Sequence, residues 1–148
     1  MAAAISSGVY PCSKEQFKVN TATSGQASFA SIADMETFSA SIDNGVEEWN
    51  PYDANGWVRR MMTAKSVTIT VSGKRNVGDA GNDFIAGLAF KNGQEALADF
   101  QWTFADGTEI TFPDSVISVT AIGAADATNV APLEFEVQSN GQPTITAA

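Results

Sequence analysis

The chain has no histidine and only one cysteine, Cys12. A lone thiol excludes an internal disulfide framework. The missing histidine excludes a Cys/His zinc site, a histidine general base and a Ser-His-Asp triad. Bases are scarce as well: 8 Lys and Arg stand against 17 Asp and Glu, a formal charge of −9. Every base lies between Lys14 and Lys91, so the rest of the chain carries only acids, namely Glu95, Asp99, Asp106, Glu109, Asp114, Asp126, Glu134 and Glu136. So acidic a chain stays soluble and repels polyanions, which disfavours sequence-reading of DNA and attraction to anionic membranes. No hydrophobic run approaches the ~20 residues of a membrane-spanning helix. The opening Met1-Ala-Ala-Ala-Ile-Ser-Ser lacks the basic start and apolar core of a signal peptide. The product is expected inside a cell, or assembled there.

What is present is a globular composition, 44% apolar and 17% charged over 148 residues, a single-domain length that can bury a core. Its most informative stretch is 95–113. Ala96, Ala98, Phe100, Trp102 and Phe104 alternate with Leu97, Asp99, Gln101 and Thr103, and strand side chains have a period of two. Asp106-Gly107 is a hairpin signal. A two-residue loop would set Trp102 against Thr111 and mix the faces. A three-residue loop, Ala105-Asp106-Gly107, sets Trp102 against Ile110, Phe100 against Phe112 and Thr103 against Glu109. This register predicts a type I turn with Gly107 in the left-handed position and a bulge. One face is then apolar (Phe100, Trp102, Phe104, Ile110, Phe112) and the other polar (Asp99, Gln101, Thr103, Glu109).

Elsewhere the pattern predicts a mainly β chain. Residues 1–34, rich in Ala, Ser, Thr and Gly, read as an N-terminal arm weakly ordered alone, because it buries too little to offset its ordering entropy; residues 35–148 form the β domain. Strands are expected at 35–43, ended by Asn44-Gly45, and at 65–74. Between them, 46–64 has no steady period yet carries Trp49, Tyr52, Trp57, Arg59, Arg60 and two methionines. So long a loop is usually functional, and these residue types are enriched at interfaces. The competing reading, that Trp49 and Trp57 lid the core, carries similar weight. A helix is expected over 82–92, with Asn82 as N-cap and Phe84, Ile85, Leu88 and Ala89 as its buried stripe. Pro113-Asp114 should turn the chain into a strand at 115–122, followed by strands at 133–137 and 143–146, the last within a C-terminal tail, 138–148. The fold class is an antiparallel β-sandwich or barrel-like core of six or so strands with one flanking α-helix.

No active site emerges. Gly78-Asp-Ala-Gly81 lacks the spacing and lysine of a phosphate loop. Glu47/Glu48 sit in an irregular segment, and Glu134/Glu136 are alternate positions on a solvent-facing strand, both poor acid/base pairs. Asp79, Asn82 and Asp83 lack the ligand run of a calcium loop. The expectation is a protein that is not an enzyme, with no catalytic, cofactor-binding or metal residues.

Lys65-Ser-Val-Thr-Ile-Thr-Val-Ser-Gly-Lys-Arg-Asn76, Asp83-Phe-Ile, Phe100-Gln-Trp-Thr-Phe-Ala-Asp-Gly107 and Asn129-Val-Ala-Pro-Leu-Glu-Phe-Glu-Val-Gln-Ser-Asn-Gly-Gln-Pro143 occur in order. From Trp49 onward, about two-thirds of its length, the chain resembles the major tail tube proteins of long-tailed, non-contractile bacteriophages. The resemblance implies a structural virion protein whose six copies make a ring, with rings stacked into a tube through which genomic DNA passes. It further implies terminator, tip and tape-measure partners, no membrane, and a place in the phage tail after assembly in the host bacterial cytoplasm. On this reading Asp99, Gln101, Thr103 and Glu109 face an acidic lumen, while Trp49, Tyr52, Trp57, Arg59 and Arg60 join subunits or rings. The alternative is a β-sandwich binding module that uses Trp49, Tyr52 and Trp57 as a stacking platform for a carbohydrate or protein ligand.

Overall fold

A computed structural model describes residues 5–22 and 25–147. The strands are β1 (Gln16–Asn20), β2 (Phe29–Ser31), β3 (Met35–Trp49), β4 (Arg59–Lys74), β5 (Leu97–Thr103), β6 (Glu109–Ala121), β7 (Pro132–Gln138) and β8 (Thr144–Thr146), with one α-helix, α1 (Ala80–Gly87). All eight strands belong to one antiparallel sheet of order β2-β1-β5-β6-β7-β4-β3, with β8 on β6. The sheet curls until strands near its two ends meet. Phe17 of β1 stacks on Phe38 of β3 with ring centroids 3.9 Å apart, and Phe38 meets Trp102 of β5 at 5.1 Å. The result is the barrel-like, mainly β core expected from the alternation.

The core is filled by the inward positions of that alternation: Ile69 and Val71, Phe100, Phe112 and Ile117, then Leu133, Phe135 and Val137, all at most 2% exposed. Helix α1 adds Ile85, and Leu88 follows just past its end. The β5–β6 hairpin has the expected register, with Phe100 opposite Phe112, Trp102 opposite Ile110 and Thr103 opposite Glu109. Gly107 has φ 96°, and its N–H donates to Phe104 O at 3.0 Å, while Phe104 N–H donates to Thr108 O at 2.8 Å. Positive φ is costly for side chains other than glycine, which explains Gly107. Phe100 and Phe112 are buried, whereas Trp102, Phe104 and Ile110 are half-buried at the open end of the core.

Five expectations need correction. The segment 46–64 is not a loop: β3 and β4 run on through it as a two-stranded ribbon, and only 50–58 connect them. Nor does Asn44-Gly45 end the strand; it lies at a register shift in which Thr63 is the extra residue. Pro113-Asp114 is a bulge inside the continuous strand β6, with both residues opposite Asp99. The helix starts earlier and is shorter than 82–92. Its N-cap is Asp79, whose carboxylate accepts from Asn82 N–H at 3.0 Å, and Asn82 is buried inside the first turn. Finally, part of the N-terminal arm belongs to the sheet. β1 pairs with β5, Val19 is fully buried, and Ile5 N–H donates to Ala105 O at 2.9 Å. Residues 1–4, 23 and 24 of that arm, and residue 148 of the C-terminal tail, lie outside the described residues.

Candidate functional site

The ribbon leaves the body where β4 loses its second partner. Thr68 to Lys74 pair with β3 on one edge and β7 on the other, and Ser139 N–H gives the last bond to Val67 O at 2.9 Å. Beyond that, β4 is bonded to β3 alone among the described residues. The pairing Val46–Met62, Glu47–Met61, Glu48–Arg60 and Trp49–Arg59 puts apolar side chains on both ribbon faces. Ile42, Val46, Met61 and Met62 are 48 to 61% exposed, Trp57 78%, and Tyr52 fully. The sequence-chosen residues Trp49, Tyr52, Trp57, Arg59 and Arg60 are thus brought together at one exposed tip. The two arginines have partners inside it: Arg60 Nε is ion-paired with Glu48, and the Arg59 guanidinium lies 6.0 Å from the Trp49 ring centroid.

The polar face of the β5–β6 hairpin is less uniform than its sequence suggests. Gln101, Thr103 and Glu109 share it, half-exposed, and Gln101 Nε2 approaches Glu109 Oε2 at 3.5 Å. Lys18 of β1 lies opposite Gln101. Asp99 is engaged at the bulge: Oδ1 accepts from Asp114 N–H at 2.9 Å, and Oδ2 from Asn20 Nδ2 at 3.4 Å. Asp114 has φ 48°, a strained value that this bond helps hold. A second polar face escaped the sequence reading as a unit. The register aligns Ser39, Thr70, Glu136 and Ser118 across β3, β4, β7 and β6, with Thr37 beside Ser72 and Glu134 in the next row. Each strand alternates visibly in the sequence, but the row appears only once their order in the sheet is known.

The body behind these surfaces is tied by a knot at the start of α1. Asn82 is fully buried; its Nδ2 donates to Ala33 O and Lys74 O, and its Oδ1 accepts from Asn76 N–H and Arg75 Nη1, all at 2.9 to 3.1 Å. Arg75 also pairs with Asp83 at 2.8 Å. Asp79, Asn82 and Asp83 therefore serve as cap and clamp. Among the described residues no group of three or more acids, cysteines or histidines is placed to hold a metal ion, and no helix is long and apolar enough to cross a membrane.

No family model and no curated protein matches the sequence. Solved structures do. A chain from the tail of an empty gene transfer agent particle, refined with C6 symmetry, superposes with TM-score 0.69 at 23% identity over 94% of this chain and all of that one. The chain has a tail-tube fold. A chain of the native gene transfer agent virion gives TM-score 0.68 at 21% identity, with the same coverage. The tail-tube fold also extends to contractile machines: a chain of the PVC sheath–tube complex, from an extracellular contractile injection system, gives 0.64 at 15% identity over 95% of this chain and 93% of that one.

Proposed function

We propose that this chain is the structural subunit of a tail tube, and that its copies form hexameric rings stacked into a conduit for genomic DNA. The observation that carries the reading is the ribbon. A two-stranded ribbon is at best marginal in water, and this one bares apolar side chains on both faces and, among the described residues, leaves both edges unpaired, so it needs a neighbour. The full-length likeness to a chain of a C6-symmetric tail supports a ring of six as that neighbour's setting. The protein is structural, not an enzyme, and belongs in a virion tail assembled in the host cytoplasm, where terminator, tip and tape-measure proteins complete the tube.

The lumen is acidic in this proposal. Duplex DNA carries one negative charge per about 1.7 Å, and a basic wall would hold phosphates and stall transit. Gln101, Thr103 and Glu109, with Asp99 at the bulge, are the lining proposed from the hairpin; Glu134 and Glu136 mark the other polar face, whose central row has no base. Lysine at Gln101 and Glu109, and separately at Glu134 and Glu136, should leave assembly intact, and the set that lines the channel should hinder DNA passage. The carbohydrate-binding alternative gains no support from the geometry, since the Trp49 ring lies beside Arg59 and the apolar groove at the ribbon's base involves neither Tyr52 nor Trp57. Negative-stain electron microscopy of the concentrated protein is the test. Rings or hollow tubes are expected; a strictly monomeric protein with saturable sugar binding contradicts the reading.

A further inference from the structure

Strand β4 changes its apolar chemistry along its length. Its body half turns Val67, Ile69 and Val71 toward the core, β-branched residues of the kind that strands favour. Its distal half carries Met61 and Met62 instead. Successive residues of a strand point to opposite faces, so one thioether lies on each face of the ribbon. By register Met61, opposite Glu47, shares a face with Trp49 and Arg59, while Met62, opposite Val46, shares the other with Glu48 and Arg60. The two are 61% and 48% exposed. Met35, by contrast, is half-buried against the core. The remaining methionine, Met1, lies outside the described residues.

We propose that Met61 and Met62 are a redox modification site: peroxide converts both to the sulfoxide in the free subunit, and the modified subunit is held out of assembly. The inference rests on the tail-tube reading and adds a chemical control to it. In each reaction a lone pair on sulfur attacks one peroxide oxygen. The O–O bond breaks, an S–O bond forms and water leaves, so sulfur is oxidised by two electrons and the peroxide is reduced by two. The product is a polar, chiral group where an apolar one stood. Burying it without a hydrogen-bond partner is costly, and adjacency puts that cost on both ribbon faces at once. The body is spared, because neither residue packs in the core. A ribbon already joined to its neighbours shields both sulfurs, so the order of events matters: peroxide before assembly blocks it, and peroxide afterwards does not.

The test uses a Cys12→Ser chain, since the exposed thiol of Cys12 would also react. Free subunits are treated with hydrogen peroxide and mapped by mass spectrometry. Met61 and Met62 should gain oxygen several-fold faster than Met35, with circular dichroism and melting temperature kept. Assembly in sedimentation and negative-stain images should be lost in step with those two sites. Methionine sulfoxide reductases, one for each epimer, should restore it. Preformed tubes given the same peroxide should stay intact with both thioethers unreacted. Met61→Leu with Met62→Leu should remove the response to peroxide, at whatever level that chain assembles. Equal oxidation rates at Met35 and the ribbon pair, normal assembly of the doubly oxidised subunit, or a loss that the reductases do not reverse would overturn the inference and leave the tube reading standing. A wild-type chain that stays monomeric before any peroxide is added overturns both.

Discussion

A single strand, β4, lives in two environments. Its Thr68–Lys74 half is bonded on both edges and buries Ile69 and Val71; its Arg59–Ser66 half is bonded on one edge, and every side chain is exposed. The first half belongs to a body with its own core and a fully satisfied polar clamp. The second belongs to a ribbon with neither. Exposed apolar surface on this scale marks sites of interaction, so the contrast separates what folds the subunit from what is proposed to join it to others.

Phe135→Ala should strike the body hardest. The ring is fully buried in the centre of the sheet, and its loss costs about 3–5 kcal/mol, read from the urea midpoint. Asn82→Ala comes next. It strands Ala33 O, Lys74 O and Asn76 N–H in the interior, for about 2–3 kcal/mol, with faster amide exchange at the start of α1. In the ribbon the expectation inverts: Trp57→Ala with Met61→Ala should change stability by no more than about 0.5 kcal/mol yet sharply reduce assembly seen by sedimentation. A loss of several kcal/mol there would erase the distinction between ribbon and body.

The smallest expected effect lies at the hairpin turn. Asp106 Oδ1 accepts from Thr108 N–H at 3.0 Å, and that bond holds the carboxyl below its ordinary value. Since the folded value is depressed, the stabilisation is present above the usual aspartate range and lost as pH falls through the folded value. Asp106→Asn should therefore differ slightly from wild type in urea midpoint at neutral pH and converge with it in strong acid. A gap that widens in acid would have the wrong sign.

The same contrast explains what was legible in the sequence. In the β5–β6 hairpin one face is buried, so burial imposes the period of two and Asp106-Gly107 fixes the register. In the ribbon neither face is buried, so no period is imposed, and Glu47 to Trp49 and Arg59 to Met62 read as irregular although they are strand. Tyr52, Trp57 and their neighbours could still be picked out by type. The bulge was hidden because Pro113-Asp114 is common turn chemistry, and only the carboxylate of Asp99, from the other strand, shows that the strand continues. Asn82 has the residue type of an N-cap, but the true cap, Asp79, sits before it because Asn82's amide is needed by the carbonyls of Ala33, between β2 and β3, and of Lys74, at the end of β4. β1 was missed because Gln16 to Asn20 is short and its partner, β5, is some eighty residues away in the chain.

In the function proposed above, the ribbon serves assembly and the body folds without it. Replacing residues 45–64 by an Asn-Gly turn, which keeps the Asn44–Lys65 pair as the end of the β3–β4 hairpin, tests it most directly in negative-stain images taken beside wild type. The expected product is a folded, monomeric protein with the wild-type circular dichroism and no rings or tubes, next to a wild type that forms them. Tubes from the shortened chain, or its failure to fold, would contradict it.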